Sequence, residues 1–126
     1  MTKREIYNKI LETTAVVCGV EVDDIQNGCR KEDVVTARTI VVFWSVAAGF
    51  SVESLLRCTD CNNANSINSI KQRQEDFWKE RYAYHMLVKE VGVRLLEYAR
   101  NIGEDFDMWL PLDRMAKATG KYRYVH

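Results

Sequence analysis

Two thiols three positions apart, Cys58 and Cys61, are the arrangement in this chain that comes nearest to a known chemistry. Such a pair is half of a zinc knuckle or of a thiol–disulfide couple. Neither is completed. Cys18 and Cys29 lie eleven apart and the two histidines, His85 and His126, are isolated, so a tetrahedral zinc would lack its second ligand pair. A thioredoxin-like couple needs a preceding strand, whereas the surrounding pattern is helical. Reduced, partly buried thiols are the expected state. The acid pairs Asp23-Asp24, Glu32-Asp33 and Glu104-Asp105 fall where helices start or loops turn, and there they favour the positive end of the helix dipole. With no nucleophile–base pair at a recognisable spacing, no catalytic residue is assigned, no metal is expected and no cofactor is implied.

Charge narrows the choice of partner. Eighteen basic side chains balance eighteen acidic ones over 126 residues, while a duplex-binding domain usually carries a basic excess. Residues 1–76 hold nine Lys/Arg against eleven Asp/Glu. Any basic face is therefore local: Arg30-Lys31 with Arg38, then Arg57, then Lys71 and Arg73. From Arg114 onward the chain has Arg114, Lys117, Lys121 and Arg123 and no acid, which suits a solvated tail or a phosphate-contacting arm.

One proline and no Gly/Ser-rich linker point to one domain, with an appended helical arm. A 47% hydrophobic, 29% charged composition fits a globular, water-exposed fold. No apolar run approaches the ~18 residues of a membrane span; the longest, Val41 to Val46, is broken by Ser45. The start, Met1-Thr2-Lys3-Arg4-Glu5, has no apolar segment behind its charges. A cytoplasmic location and no membrane partner are expected.

The elements that must position any site are helical. Ile6, Ile10, Leu11, Ala15 and Val17 repeat at helical spacing, which predicts a first helix over about Lys3 to Cys18 stopped by Gly19. A short turn of helix near Asp23 to Gln26 would put Ile25 inward, and Asn27-Gly28 marks a loop. Asp33 is expected as N-cap of a second long helix, Val34 to Ala48, apolar on most sides and so central. Gly49 ends it, and Ser51 caps a short helix over Val52 to Arg57. Thr59-Asp60-Cys61-Asn62-Asn63 is turn chemistry, after which another helix starts near Ala64. Beyond it Ile67, Ile70, Phe77, Tyr84, Val88, Val91, Leu95, Tyr98 and Ile102 keep a three-four spacing, with Gln74 and Arg81 as polar intruders. That spacing suits a long pairing helix or two helices folded back on the core. Gly92, which costs about 1 kcal/mol inside a helix relative to alanine, and the bulky Tyr82 to Met86 favour a break and a helical hairpin over a free coiled coil. Near the end, Met108-Trp109-Leu110-Pro111 reads as an apolar anchor before a short helix closed by Gly120.

In order, Cys18-Gly19-Val20, Asp24-Ile25, Arg30-Lys31, Val34-Val35-x-Ala37-Arg38-x-Ile40, a serine-led short helix and an asparagine-rich turn resemble the C-terminal DNA-binding domain of the bacterial replication initiator DnaA. The resemblance spans roughly residues 5 to 77. It implies an all-α, Trp-repressor-like helix-turn-helix bundle over 1–77, with a helical extension and basic tail over 78–126. It further implies that Arg30, with Lys31 beside it, reaches into the minor groove from a loop and that Arg38 contacts phosphate. Ser51 would offer a phosphate the backbone N–H groups of a helix start.

The family's base-reading signature, Arg/Lys-Asp-His-Thr/Ser-Thr-hydrophobic, falls on Asn62, Asn63, Ala64, Asn65, Ser66 and Ile67. Only the serine and the isoleucine match, so this chain should not read the initiator's own box. Glu32 and Asp33 also make the loop less basic than the family's. Asparagine can still bind adenine N6 and N7 together, and Asn65, Asn68, Ser69 and Gln72 share the side of the helix opposite Ile67 and Ile70. Capping is the other use of Asn and Ser at a helix start. No Gly-rich phosphate loop accompanies the domain.

Three functions follow as expectations. The first is a small double-stranded DNA-binding protein, of bacterial or phage origin, that regulates replication or transcription. Arg30, Lys31, Arg38, Ser51, Asn62, Asn63, Asn65, Ser66, Asn68 and Ser69 would then converge on one face. The second is a protein-interaction module that kept the scaffold, binding another replication protein or forming a homodimer through Phe77, Trp78, Tyr82, Tyr84, Tyr98 and Trp109. Catalysis is third and has no residues to carry it.

Overall fold

A computed structural model describes residues 2–51, 54–55 and 64–102, with the backbone alone at 3, 64–68, 71 and 78. Five helices have both ends within them, α1 Lys3–Cys18, α2 Val22–Gln26, α3 Glu32–Ala47, α4 Ala64–Glu80 and α5 Tyr82–Ile102, and Ser54 and Leu55 are helical as well. No strand occurs among the described residues, so the chain is all-helical there.

Local chemistry sets the helix ends. Thr2 caps α1 by accepting the Glu5 N–H, and Gly19 closes it in the left-handed region at φ 68°. The Val20 N–H returns to the Ala15 carbonyl and the Gly19 N–H to Val16, the paired bonds that satisfy a helix's last carbonyls. Gly49, at φ 94°, repeats the device at the end of α3, with Phe50 bonded back to Ser45 and buried behind it. The start of α3 differs from expectation. The helix begins at Glu32, Lys31 takes the cap position without a side-chain bond, and the Asp33 carboxylate accepts the neighbouring Val34 N–H. Glu32 and Asp33 instead serve the first turn by their charge.

One core joins these elements. Ile6, Ile10 and Leu11 of α1, Ile40, Val41 and Trp44 of α3, Ile70 and Phe77 of α4, and Tyr84, Val88, Val91 and Leu95 of α5 form a single buried cluster. α3 is its axis, because nine of its residues are buried and it touches all four other helices. Ile25 anchors α2 from below. α5 folds back along both α1 and α3, so residues on either side of position 77 share one interior. Residues 103–126, including Met108 to Pro111 and the basic tail, lie outside the described residues, as do Cys58 and Cys61.

The long three-four pattern is interrupted at Arg81, with neither glycine nor proline to cause it. Phe77 and Tyr84 pack edge to face across the break at 5.5 Å, while the Arg81 guanidinium covers the Phe77 ring at 4.2 Å and pairs with Glu32 at 3.0 Å. The apolar spacing continues through the break because both helices face the same core. Rings also tie the layers together: Tyr7 meets Phe50 edge-on at 6.2 Å, and Lys9 of α1 lies 4.2 Å over Tyr98 of α5. Such contacts add about 0.5–1.5 kcal/mol beyond area burial for aromatic pairs.

Candidate nucleic-acid interface

The loop between α2 and α3 is the part of the expected DNA surface described in most detail. Asn27 bonds back to Asp23 and Cys29 to Asp24 through their backbone N–H groups, and Gly28 turns the chain at φ 77°. Arg30 and Lys31 then stand exposed at the loop's end.

Arg38 takes a different place from the one expected. Its side chain is half-buried and reaches back from α3, where Nε donates to the Ile25 carbonyl at 2.9 Å and Nη2 donates to Asp24 at 3.2 Å and Cys29 at 3.0 Å. The physical reason lies in α2. A helix of five residues leaves its last carbonyls without intrahelical partners, and a guanidinium supplies several donors in one rigid fork. Its positive charge also suits the negative end of the α2 dipole. The expected phosphate contact is thus turned inward, and Arg38 fixes the loop whose next residue is Arg30.

The α3 start gains a cation that sequence reasoning missed. Arg81, read as a polar intruder in an apolar pattern, sits at 3.0 Å from Glu32, beside Lys31. The pair is exposed, with side-chain accessibilities of 40% and 78%, so its contribution to stability is small. Its electrostatic effect is to offset the acid that most directly opposes an anion near Lys31. Between Cys18, Asp33, Thr36, Arg81, Tyr84 and Leu87 lies a small cleft of about 170 Å³, below the 300 Å³ or so of an ordinary small-molecule site. Burial first, and the Asp33 carboxylate second, push the Cys18 thiol from 9.0 up to about 11, so at neutral pH it is a protonated, unreactive thiol. No cluster of three or more metal-ligating side chains exists among the described residues.

The remaining expected residues lie elsewhere. Ser51 is exposed and serves as a cap: its hydroxyl accepts the Ser54 N–H at 3.2 Å, and its carbonyl accepts from Leu55 at 3.0 Å. Asn62 and Asn63 lie outside the described residues. Positions 65, 66 and 68 are in the first turns of α4, for which the backbone alone is described, and Ser69 and Gln72 are exposed. With Ile70 and Phe77 inward, positions 65, 68 and 72 fall on the far side of the helix and position 66 comes one turn before the buried Ile70.

The helices that carry these residues are long enough to hold their ends well apart. The Arg81–Glu32 pair pins the end of α4 beside the start of α3. α4 is 17 residues long, so at 1.5 Å per residue its first turn lies about 25 Å along the helix from that corner. Ser51, beyond the other end of the 16-residue α3, is separated from Lys31 by about 24 Å of helix. Lys31 adjoins the Glu32–Arg81 corner, and the start of α4 lies at the opposite end of that helix.

No helix among the described residues is long and apolar enough to cross a membrane. No protein-family model, curated protein or solved structure matches this chain.

Proposed function

We propose that this chain is a small double-stranded DNA-binding protein with a DnaA-like, Trp-repressor-like helix-turn-helix, acting in the regulation of replication or transcription. The start of α4 enters the major groove, and the loop carrying Arg30 and Lys31 lies against the neighbouring backbone and minor groove. The observation that carries this reading is the Arg38 brace. Three bonds hold a short loop whose two following residues are exposed cations, and a cation fixed in advance loses less freedom on meeting a phosphate than one on a mobile loop.

In this reading Arg30 and Lys31 supply most of the affinity through phosphates and counterion release. The amide-bearing positions of α4 supply whatever sequence preference exists. The zero net charge makes binding weak away from the preferred site. The test is selection of bound duplexes from a random pool at moderate salt, followed by salt titration of the chain and of Arg30→Ala and Lys31→Ala. A salt slope that shrinks by about one for each cation removed supports phosphate contacts. Identical binding by all three proteins rejects the docking.

A second reading, an interaction module that retains the scaffold, is favoured by the apolar side chains exposed along α5, Tyr82, Met86 and Val93. A protein that fails to enrich any duplex yet self-associates or captures a partner through α5 would fit this reading instead.

A further inference from the structure

Residues 10–29 contain no lysine or arginine, while they carry Glu12, Glu21, Asp23 and Asp24. In a chain of zero net charge this stretch concentrates one sign. The fold bends it around a groove of about 490 Å³ between α1 and α2, lined by Val16, Val20 and Val22 and by the exposed Glu12, Glu21 and Asp23. Val16 is 68% exposed, more than any other large apolar side chain among the described residues. No lysine or arginine among the described residues pairs with Glu12, Glu21 or Asp23.

An apolar wall beside three carboxylates fits aliphatic stems that end in cations, because lysine and arginine can lay their methylenes on valine and keep their charged heads at the acids. The chain carries such a segment itself. Residues 114–123 contain Arg114, Lys117, Lys121 and Arg123 and no acid. The place where α5 ends puts this segment within reach. Tyr84, near the start of α5, shares a cleft with Cys18 at the end of α1, whereas Tyr98 lies under Lys9 at 4.2 Å, so α5 runs antiparallel to α1. Its last residue, Ile102, is one turn past Tyr98, and the chain therefore leaves α5 beside the early turns of α1. Val16 is about 10 Å further along α1 than Lys9, and the intervening residues 103–113 can span up to about 36 Å.

The size of the groove separates a tethered occupant from a free one. One exposed valine with three acids falls far short of the ~1,200 Å² that a stable complex between free partners buries. A tether supplies a millimolar effective concentration, at which a few weak contacts suffice. We infer that the α1–α2 groove is the docking site of the chain's own cationic segment, residues 114–123, held by ion pairs to Glu12, Glu21 and Asp23 and by stems laid on Val16. The inference does not rest on DNA binding and is tested without DNA.

The test is brief trypsin digestion of the full chain at low salt, with cleavage after Arg114, Lys117, Lys121 and Arg123 timed by mass spectrometry against a synthetic peptide of residues 103–126. Docking should slow cleavage of the full chain about fivefold or more relative to the peptide, because exposed ion pairs are individually weak but act here together. Glu12→Gln/Glu21→Gln/Asp23→Asn should bring the rate close to that of the peptide, with circular dichroism confirming that the helices remain. Glu75→Gln/Asp76→Asn/Glu97→Gln, which removes three exposed acids elsewhere, should leave the protection in place. Full-chain cleavage as fast as the peptide's, protection that survives neutralising the groove, or equal loss in the control variant would each overturn the inference. Protection that grows with protein concentration would overturn it too, by assigning the groove to a second copy.

Discussion

The indole of Trp44 occupies the space that a side chain at position 92 would need. A Cβ placed on Gly92 would stand 2.5 Å from Trp44 Cζ2 and 2.8 Å from Cη2, and the same indole donates from Nε1 to the Val88 carbonyl at 3.0 Å, one turn earlier on α5. Trp44 is fully buried. The glycine thus lets α5 approach the central helix, and the ring N–H that this approach buries finds its acceptor there.

Gly92→Ala should therefore destabilise, although helix propensity alone would favour alanine by about 1 kcal/mol. Overpacking a rigid ring costs about 1–3 kcal/mol or more, so a net loss of roughly 1–2 kcal/mol in urea unfolding is expected. Trp44→Phe opens that space, and Gly92→Ala made in its background should cost less than in the parent. A double-mutant cycle with coupling near zero would show that the two residues do not meet in solution.

Arg38→Ala removes three hydrogen bonds made by a half-buried cation. At roughly 1.5–3 kcal/mol for bonds to charged groups and partial solvent replacement, a total loss of about 2–3 kcal/mol is expected. Arg38→Lys should recover little, because an ammonium cannot reproduce the fork that reaches Ile25, Asp24 and Cys29 together. Amide exchange of Cys29 and Arg30 should speed up in both variants. Unchanged exchange there would remove the bracing role.

For DNA, Arg30→Ala and Lys31→Ala should weaken binding across all duplexes without altering preference, and leave stability within about 0.5 kcal/mol, as for exposed side chains. Arg38→Ala should also weaken binding, but with loss of stability and with little change in salt slope. A slope reduced as much by Arg38→Ala as by Arg30→Ala would return Arg38 to the phosphate-contacting role.

Stability should fall as pH rises through the alkaline range. Cys18 has its thiol pKa raised in the fold from 9.0 to about 11, by burial first and Asp33 second, and burial likewise raises the Tyr84 phenol above its ordinary value of 10.0. Above pH 9 the unfolded chain gives up the Cys18 proton while the folded chain keeps it. The unfolded state then binds fewer protons, and stability decreases with pH. The Cys18 contribution is complete below pH 9 and lost as pH climbs to about 11. Thermal melts at pH 7.5 and 10.5 should differ, and Cys18→Ala should narrow the difference. Equal narrowing by Cys29→Ala would detach the effect from Cys18.

Much of the scaffold is legible from residue order alone, because its signals are local. Gly19 and Gly49 sit one step past apolar runs, where only a residue tolerant of positive φ ends a helix cheaply. The spacing of Ile6, Ile10 and Leu11, the inward Ile25 and the cap at Ser51 each depend on neighbours within a few positions. The apolar density of Val34 to Ala48 marks the central helix before any contact is known.

Tertiary structure decided the matters in which a side chain chooses among distant partners. Arg38 follows a hydrophobic-basic run that reads as surface, yet its acceptors are carbonyls 9 to 14 residues away, two in the short α2 and one in the loop after it. Gly92 reads as a weak point until Trp44 is found filling its empty side. Arg81 looks like a defect in a repeat and becomes the corner at which α4 ends and Glu32 is met. Periodicity tells which face of a helix is apolar, because that depends only on 3.6 residues per turn. Which charge is turned inward depends on where unsatisfied backbone groups arrive in space, and only the folded chain brings them there.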